Sequence, residues 1–70
     1  MYIDIYRFEI ACAKKKWTPE QAVEAAGLPA DALEGIYSDK PVSPADAGKL
    51  AEALKAKVET ITRKKENFWD

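Results

Sequence analysis

The stretch Trp17-Thr18-Pro19-Glu20-Gln21-Ala22-Val23-Glu24-Ala25-Ala26-Gly27-Leu28-Pro29-Ala30-Asp31-Ala32-Leu33-Glu34-Gly35-Ile36-Tyr37 contains two helix starts and one hard stop. Thr18 is an N-cap residue, Pro19 suits the first helical position, and Gln21 stands where it can close a capping box. Glu20 adds negative charge to the first turn, where the helix dipole favours it. The helix runs from Gln21 to Ala26 and stops at Gly27, which adopts the left-handed conformation of a helix C-terminus at no steric cost. At about two turns it is too short to stand alone and must be held by packing. A further helix follows at once, from Pro29 to Tyr37, with Ala32, Leu33 and Ile36 facing inward. Gly35 inside that helix costs roughly 1 kcal/mol against alanine. Pro41 forbids its continuation.

Outward from this segment the chain reads as helix on both sides. Asp4 caps a first helix that extends to about Lys15 or Lys16, whose lysine triple complements the dipole's negative end. That helix carries two apolar stripes. One comprises Ile5, Phe8, Ala11 and Cys12; the other comprises Ile3, Tyr6, Ile10, Ala13 and Trp17. Apolar character over so much of the circumference exceeds what a small core can bury and implies a partner. Ser43-Pro44-Ala45-Asp46 repeats the cap, proline and acid grammar of Thr18 to Gln21, and opens a fourth helix through Leu50, Ala51 and Leu54. Val58 and Ile61, three apart, mark a short fifth. Residues 1–62 thus form one domain, and residues 63–70, lacking periodicity, form a fraying tail. The fold class expected is all-α, a compact bundle of about five short helices.

Two helices meeting across a tight glycine turn make a helix-turn-helix, here about residues 18–37, with Ala22 and Ala26 small enough for a close crossing. At these residues the chain resembles the Cro/repressor-type helix-turn-helix proteins, the XRE family. The matching slots are Trp17-Thr18, Ala26-Gly27-Leu28, Pro29 to Tyr37, Ser38-Asp39-Lys40, and the run Ser43 to Leu54. Val58-Glu59-Thr60-Ile61 is similar to the family's last helix, so the resemblance covers roughly residues 4–62. It implies a lambda-repressor-like fold, a homodimer, and transcription regulation by binding an operator in double-stranded DNA, as by repressors of phages and mobile elements. By matched position it puts Ala30, Asp31, Glu34 and Gly35 nearest the bases of the major groove. It puts Thr18, Pro19, Ser38 and Lys40 at the phosphates, with Lys14, Lys15 and Lys16 as flanking basic contacts. Where the family commonly has glutamine, Pro19 offers no side-chain donor and no N–H.

Seventy residues allow one domain near the lower limit of self-sufficiency. One cysteine and no histidine exclude an intrachain disulfide and a Cys/His zinc site. Cys12 on an apolar stripe reads as a small core residue. Glu20 and Glu24 have a spacing used in metal sites but lack further ligands, so no metal or cofactor is expected. No catalytic constellation is visible, and an enzyme is not expected. The sequence shows no transmembrane span and no secretory signal at its start, so a cytoplasmic location is expected.

Charge divides the chain sharply. Residues 1–16 carry +2, residues 17–39 carry −5 with no basic residue, residues 40–54 balance, and residues 55–70 carry +2. Duplex affinity comes largely from neutralised phosphates, and the acidic block is the segment that the resemblance lays against DNA. Ala30 suits a thymine methyl, and Asp31 or Glu34 can accept from cytosine N4. The alternative is the same fold as a protein-interaction module, such as an anti-repressor, its acidic middle facing a basic partner. Ile3, Tyr6 and Ile10 are the expected homodimer interface.

Overall fold

Local hydrogen bonds at the helix ends set the architecture, and in the computed structural model, which describes residues 1–63, most of them are those the side chains dictate. In chain order the elements are β1 (Tyr2–Ile3), α1 (Ile5–Lys15), α2 (Pro19–Ala25), α3 (Asp31–Tyr37), α4 (Pro44–Leu54), α5 (Val58–Ile61) and β2 (Thr62–Arg63). The Asp4 carboxylate accepts from the Arg7 N–H at 3.1 Å and starts α1. The capping box at α2 is complete: the Gln21 N–H donates to Thr18 Oγ1 at 3.2 Å, and the Thr18 N–H to Gln21 Oε1 at 2.8 Å. Ser43 Oγ accepts from the Asp46 N–H at 3.1 Å at the start of α4.

The start of α3 differs from expectation. Helical geometry begins at Asp31, because the Pro29 and Ala30 carbonyls accept from the Ala32 and Leu33 N–H groups, a tighter three-residue step. Ala30 occupies the N-cap and supplies no side-chain bond. Gly27, at φ 76°, makes the corner between α2 and α3, and the Leu28 N–H closes back on the Val23 carbonyl at 3.1 Å. Three other corners place charged residues in the left-handed region: Lys16 (φ 61°), Asp39 (φ 61°) and Lys55 (φ 53°).

The helices enclose one core of Phe8, Cys12, Ala22, Val23, Ile36, Leu50, Ala51, Leu54 and Ile61, with Ile3 and Ala11 beside them. Phe8, Leu50, Ile61 and Cys12 are its largest fully enclosed side chains. Among the described residues no polar or charged side chain is buried. Every desolvated side chain therefore contributes apolar burial without an unpaired polar group to offset it.

Three expectations are corrected here. The chain is mostly helical but not purely so, since β1 and β2 pair antiparallel with Tyr2 opposite Arg63 and Ile3 opposite Thr62. A two-residue strand is too short to show alternation in sequence. Ile3 therefore leaves the proposed dimer interface: it precedes α1, helical bookkeeping does not apply to it, and its side chain is buried in the core. Arg63 leaves the tail, because it pairs in β2 and its guanidinium contacts the Asp39 carboxylate. The rest of that expected tail, residues 64–70, lies outside the described residues. Among the described residues no helix is long and apolar enough to cross a membrane.

Truncating Phe8 to alanine should cost about 3–5 kcal/mol, comparable to the whole stability of a domain this small. Thr18→Ala, which opens the capping box, should cost about 1 kcal/mol. Urea titration followed by far-ultraviolet circular dichroism measures both. A Thr18→Ala midpoint equal to the parent's would mean that α2 does not depend on its cap.

Candidate nucleic-acid interface

The exposed surface of α2, its corner and α3 is built from side chains that the core does not need. Val23 and Ile36 are buried, while Ala30, Asp31 and Glu34 are exposed along α3. Thr18, Ser38 and Lys40 are exposed, and Pro19 is half-buried at the first turn of α2. The residues expected nearest bases and phosphates therefore share one helix pair and its flanking loops. Gly35 differs: it is half-buried and borders a depression with Pro29, Asp31, Ala32 and Lys40, and its carbonyl accepts from the Lys40 N–H at 2.9 Å. A Cβ built on Gly35 would meet nothing within 4 Å, so the fold itself does not require glycine there.

The expected flanking lysines separate. Lys15 is half-buried, its Nζ 5.3 Å from the centre of the Trp17 ring in a cation–π contact. Lys14 turns into a different groove, lined also by Arg7, Ile10 and Lys55. Lys16 is exposed at the left-handed corner after α1.

Sequence reasoning missed how α3 is moored. The Tyr37 hydroxyl donates to Glu9 Oε2 at 2.7 Å, tying the last turn of α3 to α1. One turn later Arg63 reaches Asp39, and the Val42 N–H donates to the Met1 carbonyl at 2.6 Å. These partners lie far apart along the chain, and no local pattern signals them. The Arg63 contact also compensates one of the five acidic charges between residues 17 and 39. Glu20 and Glu24 remain exposed and, with Val23, Leu28, Ala30 and Leu33, line a shallow groove of about 200 Å³ between α2 and α3.

Two groups in this region hold their protons tightly. Partial burial pushes the Tyr37 phenol up to about 12, and the hydrogen bond to Glu9 and that carboxylate's charge add to it. Burial also pushes the Cys12 thiol up, again helped by Glu9. Cys12 is thus a packed apolar side chain and not a thiolate nucleophile. Among the described residues no group of three His, Cys, Asp or Glu side chains could hold a metal ion.

No family model and no curated protein matches the sequence. Two solved structures are similar: native PhpD with cadmium atoms, and PhpD with cadmium complexed with hydroethylphosphonate. Each is 30% identical to this chain, with a TM-score of 0.76 over 96% of it. The chain spans only 15% of the PhpD chain, so the likeness is to one unit of a much longer protein.

The raised Tyr37 value has a signed consequence. The folded state retains the phenolic proton more firmly than the unfolded chain, so this stabilisation is complete below about pH 10 and lost as pH rises through about 12. Alkaline titration of phenolate absorbance should show a late step that Tyr37→Phe removes. Glu9→Gln should move the step earlier. A late step unchanged in Glu9→Gln would assign the shift to burial alone.

Proposed function

We propose that the chain is a helix-turn-helix DNA-binding domain of the Cro/repressor type, which regulates transcription by occupying an operator with α3 in the major groove. The observation that carries this reading is the outer face of α3, where Ala30, Asp31 and Glu34 are exposed beside a glycine for which the fold has no steric need. A helix that forgoes a Cβ at a position with free space gives up about 1 kcal/mol of stability. Close approach of another surface is a physical reason for a backbone to do so; Gly48 in α4 has equally free space, and what distinguishes Gly35 is its place beside Ala30, Asp31 and Glu34.

The chemistry available there is specific. Ala30 matches a thymine methyl, and Asp31 and Glu34 match the N4 amine of cytosine. Thr18, Ser38 and Lys40 supply donors at the edges, while Pro19 supplies only its ring. The carboxylates have a second effect. Within a Debye length of about 8 Å they repel phosphates on any sequence, and only a correctly placed cytosine amine compensates them. Acidic base readers thus lower non-specific affinity more than specific affinity, which raises the ratio between the two.

A second reading, a protein-interaction module with a basic partner, is favoured by one observation. No basic residue lies between positions 17 and 39, and Glu20 and Glu24 border an apolar groove. Salt dependence separates the two readings. With about three or four phosphates neutralised, affinity for generic duplex should fall by tens to about a hundredfold between about 50 mM and 200 mM salt. Asp31→Asn with Glu34→Gln should strengthen generic binding. Gly35→Ala should raise the melting temperature yet weaken duplex binding, whereas Gly48→Ala, in α4 with equally free space, should raise stability alone. No duplex binding at the lower salt would overturn the DNA reading.

A further inference from the structure

Away from α3, the surface formed by α1 with the α4–α5 corner holds a groove of about 470 Å³ floored by Ile10, Leu54 and Ala56 and rimmed by Arg7, Lys14 and Lys55. We propose that this groove is a docking site for an acidic amphipathic segment of a partner protein, its apolar side chains on Ile10 and its carboxylates on the three cations.

The apolar part is open to a partner. Ile10 is 40% exposed, and Tyr6, one turn earlier on the same stripe of α1, is 73% exposed. The charge is open as well. Among the described residues neither Lys14 nor Lys55 is in an ion pair, and Arg7, itself exposed, meets the half-buried Asp4 at 3.9 Å. Glu59 is the single acid on the rim, against three bases.

The backbone fixes where Lys55 stands. It stands at φ 53° at the end of α4, where its N–H and that of Ala56 close on the Glu52 and Ala51 carbonyls. Glycine occupies such a corner more cheaply. Lys16 and Asp39 hold the same geometry at other corners, and what sets Lys55 apart is that its corner places a cation at the mouth of the groove.

Charge also selects the occupant. In a two-fold dimer the same patch meets itself, so a rim of three cations and one acid would face another rim of three cations and one acid. With Ile3 buried, Tyr6 and Ile10 are what remains exposed of that apolar stripe on α1 beside the cations. A DNA backbone offers phosphates to the rim but nothing apolar to Ile10. A helical segment with leucines on one face and glutamates beside them complements both parts. This proposal is independent of the DNA reading, since it uses none of α3.

The test is fluorescence anisotropy with a labelled synthetic helix of about 14 residues, leucines at i, i+3, i+4 and i+7 and glutamates flanking them. The intact chain should bind it at a Kd of tens to hundreds of micromolar, and should bind the version with glutamine for glutamate at least about tenfold more weakly. Lys55→Gly should raise the melting temperature while weakening the peptide about threefold to tenfold, a split that a merely structural lysine cannot give. Ile10→Ser should weaken both peptides. Equal affinity for the acidic and neutral peptides, or a Lys55→Gly chain that binds as tightly as the parent, would overturn the proposal. Two further results would also overturn it: self-association lost in Lys55→Gly without peptide binding would assign the groove to a second copy, and duplex binding weakened by Lys55→Gly together with displacement of the peptide by duplex would assign it to phosphate.

Discussion

Everything in this small protein rests on the enclosure of Phe8. None of the helices is long enough to persist alone; α2 and α3 are seven residues each and α5 is a single turn. What makes them cooperative is a shared apolar interior in which Phe8, Leu50 and Ile61 leave no exposed surface worth the name. Because no polar side chain among the described residues is buried there, the core specifies the fold by shape and hydrophobicity alone. Polar interactions are relegated to the periphery, where they fix angles instead of supplying bulk stability.

Those peripheral ties concentrate around α3. It lacks a side-chain cap at its start, and its far end and the loop after it are held by Glu9 of α1, Arg63 of β2 and the Met1 backbone just before β1. Exposed pairs of this kind contribute little to global stability. Their effect is on orientation, because they restrict a helix whose outer face carries the exposed Asp31 and Glu34. A short helix moored at its end can present a constant surface without being rigid in itself.

What the sequence made legible follows from range. The caps at Thr18 and Ser43, the corner at Gly27, and the inward residues of α1 and α4 depend on neighbours within a few positions, and they stand where the residues imply. The strand pair, the burial of Ile3 and the Tyr37–Glu9 and Arg63–Asp39 contacts depend on partners 24 or more residues away, and no local periodicity encodes them. The corners at Lys16, Asp39 and Lys55 were hidden for a different reason: a left-handed turn is announced by glycine, and these positions hold charged residues instead. At the candidate interface, the residue types and their exposure could be read from the chain. The half-burial of Gly35 and the separation of Lys14 from Lys15 required the third dimension.

The pairing of Tyr2 with Arg63 brings the two flanks of the helical unit side by side, a strand's spacing of roughly 5 Å apart. A unit closed in this way can interrupt a host polypeptide as a bead on a loop, entering and leaving through one doorway without stretching its host. Two short strands, one of which lends Ile3 to the interior, thus set the doorway of the unit.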